Sequence, residues 1–323
     1  IEDRTEHMMA GGHACAQEVE AEAAVKNDGT VLGLKFKEYD DVGGSISTLT
    51  IHFTNKLNNL SNTYKTPAIY MEGNAVVTNK CPVIPNRGIG KPGMCFIWER
   101  MMDRVAQALN LSPIEVRRKN LIQASEMPYT TISGNVYDSG DYPGLLKTLL
   151  EKIDYDKLRE DQKKAREQGK LIGIGIVIGV EPGGRNAARD MAIFPEMKEP
   201  PGSGGVNGAK IKLEKNGTLS LHLGSPNCGQ AHETTTAQVA ADILGSTPDK
   251  FSTSIPFDSD LSSWGVAAAN SGNNFHLYDI GAIHGAATKL REKILKLAAF
   301  NLKVEPSELT IEDSVVKIPG AAA

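Results

Sequence analysis

Asn227-Cys228-Gly229-Gln230-Ala231-His232-Glu233-Thr234-Thr235-Thr236 joins a glycine-marked turn to a helix start rich in hydroxyls. The chemistry of such a junction is the holding of an anion or of a planar polar ring. Leu219 to Leu223 alternates like a strand before the turn, and from Thr235 the apolar spacing becomes helical up to Gly245. Gly229, Gln230 and Ala231 then fall where unpaired backbone N–H groups point outward, at the positive end of a helix dipole. An ordinary strand-to-helix loop has the same pattern, and that alternative stays open.

A second stretch has comparable potential. Asn79 to Pro92 contains Arg87-Gly88-Ile89-Gly90-Lys91-Pro92, in which prolines brace a loop, two glycines permit close backbone approach, and one arginine offers a rigid fork of donors. The spacing of Met94, Phe96, Ile97, Met101, Val105 and Leu109 predicts a helix with one buried stripe directly after it. Other groupings carry less. Asp3, Glu6, His7 and His13 lack metal-ligand spacing and read as a salt-bridged strand start, while Asp258 and Asp260 read as turn formers in a Ser-rich loop. Cys15, Cys81, Cys95 and Cys228 have no C-x-x-C spacing, so neither zinc nor an iron–sulfur cluster is indicated; they read as reduced core fillers, with paired disulfides as the alternative that nothing in their placement asks for.

These stretches need elements to position them. The 323 residues suffice for about two domains, and a net charge of -4 without a dense Lys/Arg run argues against a nucleic-acid surface. No apolar run reaches membrane-span length; Leu171 to Val180 is short and glycine-broken, and reads as a buried strand. Gln17 to Lys26 and Thr30 to Glu38 flank Asp28-Gly29 as a hairpin, and Asn216-Gly217 repeats that signal between Ile211 and Leu223. Ala68 to Thr78 reads as a further strand. Ser112-Pro113-Ile114-Glu115 has the form of a capping box opening a helix to about Gln123, and similar punctuation recurs at Thr247-Pro248 and Glu305-Pro306. A long helix is expected over Leu277 to Leu302, preceded by Asn273 and Asn274 as loop donors. The echoes predict an α+β fold of two similar halves, 1–155 and 171–323, joined by a charged helical linker at 156–170. A start at Ile1 without Met and a close on Pro319-Gly320-Ala321-Ala322-Ala323 suggest a processed, split or partial polypeptide.

Two motif sets together resemble a known family. Gly229-Gln230-Ala231-His232-Glu233-Thr234 with Gln238 and Leu244-Gly245 resembles the Gly-Gln-Gly-x-x-Thr…Gln…Leu-Gly signature of the molybdopterin-binding subunit of xanthine dehydrogenases, aldehyde oxidases and aerobic CO dehydrogenase-like molybdenum hydroxylases. Arg87-Gly88-Ile89-Gly90-Lys91-Pro92, Glu99, Asp103, Pro113, Glu115, Arg117 and Asn120 resemble that family's Arg-Gly-x-Gly-x-Pro…Glu-x-x-x-Asp…Pro-x-Glu-x-Arg-x-x-Asn series. The departures are Ala231 in place of a second glycine and the absence of a Ser-Arg-x-Thr sequence near Asn273 and Asn274.

The resemblance implies a molybdenum cofactor, molybdopterin or its cytosine dinucleotide, contacted by Arg87, Gly88, Gly90, Gly229, Gln230, Asn273 and Asn274 and held in a cleft between the halves. Ile89 would lie at the substrate wall, where an aromatic is frequent. The metal would be held by the pterin dithiolene and by no protein ligand. Iron–sulfur and FAD partner subunits, and a split remainder of the large subunit, are implied as partners in a cytoplasmic complex. The implied reaction is hydroxylation of an aldehyde, N-heterocycle or other small molecule with water as oxygen source. CO oxidation is not implied, because CO-oxidising members carry a copper-binding Cys where Gly88 stands. The family's base glutamate has no match, and Glu6, Glu181 and Glu233 are assigned no such role. The rival readings are a degenerate, metal-free scaffold subunit and a phosphate-ester or nucleotide-binding domain.

Overall fold

The computed structural model describes residues 2–12, 14, 16–44, 55–57, 59–84, 86–181, 207–225, 227, 229–254 and 275–320. The chain divides into two compact units: residues 1–182 with 186–201, and residues 183–185 with 202–323.

The first unit opens with a short helix, α1 (Arg4–Ala10), where the sequence suggested a strand. Asp3 and Glu6 form a reciprocal capping box, and this local bonding favours a helical turn over an extended start. Strands β1 (Ala16–Val25) and β2 (Val31–Gly43) form the expected hairpin, with Gly29 at φ +86° and Asp28 Oδ1 accepting the Thr30 N–H at 3.0 Å. Glu18, Glu20 and Glu22 face solvent along β1, while Val19, Ala21 and Ala23 pack inward, the period-two burial of a one-sided sheet. β3 (Ile69–Val77) adds to β2 in parallel. Next to the apolar Leu34 and Phe36, β2 also buries Glu38 and Asp40, which share the fully buried Lys56. Burial pushes the Glu38 carboxyl above the ordinary glutamate range, against the pull of Lys56.

Helix α2 (Lys91–Leu109) begins earlier than its apolar spacing indicated, because Pro92 occupies its first turn. Its buried face is Met94, Ile97, Trp98, Met102, Val105 and Ala106, whereas Phe96 is 67% exposed and Met101 only half-buried. Phe96 is therefore turned out of the predicted stripe by the Trp98–Met102 ridge, while Met101 still packs against the core. Helix α3 (Pro113–Asn120) is capped by Ser112 Oγ, which accepts the Ile114 N–H, but no capping box closes; Glu115 pairs with Arg118 at 2.7 Å instead. After the two-residue strands β4 (Tyr129–Thr130) and β5 (Val136–Tyr137), the charged stretch forms α4 (Tyr142–Lys152) and α5 (Tyr155–Glu167), broken at Asp154 (φ 47°).

Residues 171–181 differ from the expectation. Leu171 to Val180 joins no sheet among the described residues, and Leu171 is 84% exposed, so the run is not the buried strand expected. Ile176, Ile178 and Val180 nevertheless pack on the first core, so packing places 171–181 with the first unit, whereas the sequence put the boundary at 156–170.

In the second unit, β6 (Ala209–Leu213) and β7 (Leu219–Leu223) form an antiparallel hairpin with Gly217 at φ +85°. Helix α6 (His232–Leu244) carries the chain over to β8 (Phe251–Ser254), which pairs with β7 in parallel. A π-turn over Phe275–Asp279 leads into α7 (Ile280–Leu302), and β9 (Thr310–Glu312) and β10 (Val315–Lys317) close the described chain. The two sheets share one plan, an antiparallel hairpin with a third strand parallel to its second.

The repeated punctuation is structural as well. Helices α2, α6 and α7 end in left-handed residues Asn110, Gly245 and Lys303, each three positions before a proline. In each case the following N–H returns to a helix alanine carbonyl: Leu111 to Ala106 at 2.8 Å, Ser246 to Ala241 at 2.9 Å, Val304 to Ala299 at 3.2 Å. Only the first proline opens an α-helix; Pro248 and Pro306 start single 3-10 turns. At Gly245 (φ 60°) a Cβ would overlap the Ile311 carbonyl, so Gly245→Ala is expected to cost about 1–3 kcal/mol. Urea unfolding would read this as a lower midpoint at unchanged slope, while Lys303→Ala, already left-handed without glycine, changes the midpoint far less.

Candidate functional site

The 87–90 turn is built by its own backbone. Asn86 Oδ1 accepts the Arg87 N–H at 2.8 Å, the Asn86 carbonyl accepts the Ile89 N–H at 2.8 Å, and the Gly88 carbonyl accepts the Lys91 N–H at 3.2 Å. Gly88 and Gly90 sit at φ +94° and +82°, and a Cβ on Gly88 would press on the Pro92 ring at 3.0 Å, so both positions require glycine. Ile89 is half-buried, and Arg87 is exposed with a guanidinium that has no acceptor among the described residues. Lys91, the first residue of α2, is buried and pairs with Glu181 at 3.3 Å.

The remaining motif positions of this unit are framework. Arg117, 1% exposed, donates from Nε to Glu99 Oε2 at 2.8 Å and from a terminal nitrogen to Asp103 Oδ1 at 2.9 Å, and the Tyr64 hydroxyl donates to Glu99 Oε1. Burial pushes the Glu99 carboxyl up, opposed by Arg117 and the Tyr64 hydroxyl. Asn120 Oδ1 accepts the Val31 N–H while its Nδ2 donates to the Gly29 and Val116 carbonyls, tying α3 to the first hairpin. Glu99, Arg117, Asn120 and Tyr64 are all buried and engaged with one another or with the backbone.

The 227–231 turn of the second unit corrects one expectation. The N–H groups of Gly229 and Gln230 are not open: Asn227 Oδ1 accepts both, at 2.9 and 2.8 Å, and Asn227 Nδ2 donates to Glu233 Oε2 at 2.7 Å. An Asn two residues before a glycine closes this turn on itself, a signal that an Asn-x-Gly reading supplies and a Gly-Gln reading overlooks. The open donors lie one step on. Ala231 is left-handed at the N-cap, and the N–H groups of Ala231, His232 and Glu233 have no acceptor among the described residues. Gly229 holds φ +95°, and no atom of the described residues lies within 4 Å of a would-be Cβ.

Behind the turn is a buried polar group that the sequence did not announce. His232, 3% exposed, stacks on Phe275 with ring centroids 3.7 Å apart and planes 3° from parallel, and its Nδ1 is buried without a partner. Burial lowers its basicity, against the pull of Glu233. Asp279 accepts from Ser225 at 2.7 Å and from Asn207, which pins the exit of β7 and the entry of β6 to the start of α7, and its other oxygen is orphaned. Asn273, Asn274, Asp258, Asp260, His13, Cys15 and Cys228 lie outside the described residues. Cys81 is exposed and Cys95 half-buried, so Cys81 is not a core filler. Among the described residues no three His, Cys, Asp or Glu side chains converge as a metal site.

Sequence comparison decides which family this architecture represents. The sequence model of the molybdopterin cofactor-binding domain matches residues 148–322, and a second model of the same description matches residues 1–121. The chain belongs to the molybdopterin cofactor-binding family. Among similar proteins, the nicotine 6-hydroxylase large subunit of Paenarthrobacter nicotinovorans is 30% identical over 100% of this chain and 39% of its own length. The carbon monoxide dehydrogenase large chain of Hydrogenophaga pseudoflava is 30% identical over 99% of this chain and 40% of its own. Quinoline 2-oxidoreductase from Pseudomonas putida 86 superposes with a TM-score of 0.80 at 28% identity, covering 99% of this chain and 40% of that one. The molybdopterin-binding chain thus spans about 40% of the length of these relatives, and both halves have the expected α+β, two-domain character.

The donor set fits the cofactor. Within the second unit, the helix-start N–H groups and the buried His232 Nδ1, which have no partner among the described residues, suit a phosphate-bearing, hydrogen-bonding heterocycle; within the first unit, the Arg87 guanidinium suits an anionic group.

Proposed function

We propose that this chain is part of the large subunit of a molybdenum hydroxylase acting on a small organic substrate such as an aldehyde or N-heterocycle, with water as oxygen source. The carrying observation is the 229–231 turn, where N–H donors without a partner among the described residues lie at the start of a 13-residue helix inside a matched molybdopterin cofactor-binding domain. In this reading Gly229, Gln230, Asn273, Asn274, Arg87, Gly88 and Gly90 contact the cofactor, and Ile89 borders the substrate. Arg87 and the α6 N-terminus neutralise anionic groups, and Asn227 keeps the turn in its receiving shape. When bound, the cofactor supplies the two-electron redox step. Electrons leave through iron–sulfur and FAD subunits in the cytoplasm, and the base glutamate belongs to sequence outside these residues. Gly88 in place of a cysteine argues against CO as substrate.

The test is the pterin released on denaturing the purified complex, compared between the native protein and Arg87→Ala and Gln230→Ala variants. Each variant is expected to retain several-fold less pterin at unchanged secondary structure. Full retention by both would remove these residues from the binding set, and release of a purine nucleotide in place of pterin would favour a nucleotide-binding domain.

A further inference from the structure

Residues 171–181 carry strand-like apolar chemistry and alternate in burial, with no partner strand among the described residues. From Ile174 burial alternates, with Ile176, Ile178 and Val180 turned to the first core and Gly175 and Val177 turned out. Backbone groups of three even-numbered residues, Ile172, Ile178 and Val180, are held. Gln162 Nε2 donates to the Ile172 carbonyl at 2.8 Å, Asn62 Nδ2 to the Ile178 carbonyl at 2.9 Å, and the Val180 N–H donates to Asn62 Oδ1 at 3.3 Å. Successive residues of an extended chain aim their backbone groups at opposite edges. The N–H and C=O groups of Gly173, Gly175 and Val177 therefore form the second edge, and among the described residues they have no partner. Ile172 and Val177 are 51% and 61% exposed, an apolar, β-branched surface along an open ladder edge. A Cβ at Gly173 or Gly175 would meet nothing within 4 Å, so a neighbouring chain can approach closely.

The flank of this edge is charged in one sense. Arg159, Lys163, Arg166 and Lys170 recur at i, i+4, i+7 and i+11 along α5 and its continuation, and with Gln162, Leu171 and Ile172 they line one recess of about 560 Å³. None of the four has a carboxylate partner among the described residues, although Lys157 on the same helix pairs with Asp161 at 2.5 Å. Uncompensated cations beside an unpaired strand edge are complementary to an acidic strand.

We propose that the 171–177 edge receives a β-strand from the part of the large subunit outside these 323 residues. Apolar side chains of that strand cover Ile172 and Val177, and Asp or Glu side chains lie over the Arg159–Lys170 stripe. The source follows from the relatives, of which this chain spans 39–40%, and so the inference rests on the large-subunit reading above.

The test is hydrogen–deuterium exchange resolved to single amides on the intact purified assembly, combined with carbodiimide cross-linking and with pterin content measured on the same sample. The Gly173, Gly175 and Val177 amides are expected to exchange at least a hundredfold slower than free peptide, with cross-links running from Lys163 or Lys170 to Asp or Glu elsewhere in the same subunit. In an Arg159→Glu, Lys163→Glu variant their protection is expected to drop about tenfold, while the Val180 amide, bonded to Asn62, keeps its own and reports that the unit is folded. Free-peptide exchange at 173–177, or cross-links to a second copy or to a different subunit, would overturn the proposal. Pterin present with an unprotected edge counts against this inference alone, and a protected edge without pterin counts against the cofactor reading alone.

Discussion

Arg117→Ala is expected to lower the stability of the first unit by about 3–5 kcal/mol, the cost of removing one partner of a buried ion pair. Arg117 is 1% exposed, and its loss leaves the Glu99 carboxylate, 5% exposed at its side chain, without a cationic partner, held by the Tyr64 hydroxyl and the Ile178 N–H. The Glu99 and Pro113 carbonyls lose their guanidinium donors as well. For a domain of this size the melting temperature should fall by roughly 6–20 °C. The Asp103 contact adds little, since that carboxylate is 40% exposed and screened, so Asp103→Ala should cost under about 1 kcal/mol. Joint replacement by Glu99→Leu and Arg117→Met removes both charges together and should recover most of the loss. Thermal unfolding of the three variants checks this; a loss below about 1 kcal/mol in Arg117→Ala would show that the pair does not hold α2 to α3.

The second large effect is on the cofactor. Asn227→Ala removes the acceptor of the Gly229 and Gln230 N–H groups and the donor to Glu233, three bonds that hold the turn although Asn227 itself is exposed. At about 1 kcal/mol each, partly recovered from water, the loss corresponds to a roughly tenfold to hundredfold weaker hold on pterin. Asn227→Asp keeps the acceptor but sets a second carboxylate against Glu233, and should fall between the native protein and the alanine variant. Pterin fluorescence per mole of protein after extended dialysis gives the comparison. Complete retention in Asn227→Ala would mean that the shape of the turn does not govern binding.

The sequence was legible where local geometry is decided by single residues. Asp28-Gly29 and Asn216-Gly217 announce both hairpins because few residue types tolerate their backbone angles, and Ser112-Pro113 announces a helix start for the same reason. The family likeness was legible in Arg87-Gly88-Ile89-Gly90 and Gly229-Gln230. What resisted reading was the division of labour within the motifs. Arg117, Glu99 and Asn120 resemble a signature series yet form a buried frame, and only long-range contacts reveal that. Phe96 has core chemistry but faces out, since helical spacing leaves the choice of face to neighbours such as Trp98 and Tyr64, whose rings lie 5.4 Å apart. His232 and Asp279 were invisible because an orphaned polar atom is a property of the surroundings and not of the residue type. The 171–180 run has strand chemistry without a ladder among the described residues, which no local pattern distinguishes from a paired strand. The boundary shows the same tension, since the second family match begins at residue 148 while 171–181 packs on the first core.

The central proposal is that the chain takes part in holding a molybdenum cofactor, with Arg87 and its flanking glycines and the 229–231 turn among its contacts. Elemental and pterin analysis of the intact purified assembly tests it most directly. The account predicts about one molybdenum and one pterin per large subunit, both falling together in an Arg87→Ala, Asn227→Ala double variant that remains folded. An assembly that contains neither molybdenum nor pterin when isolated from molybdate-replete cells would contradict it.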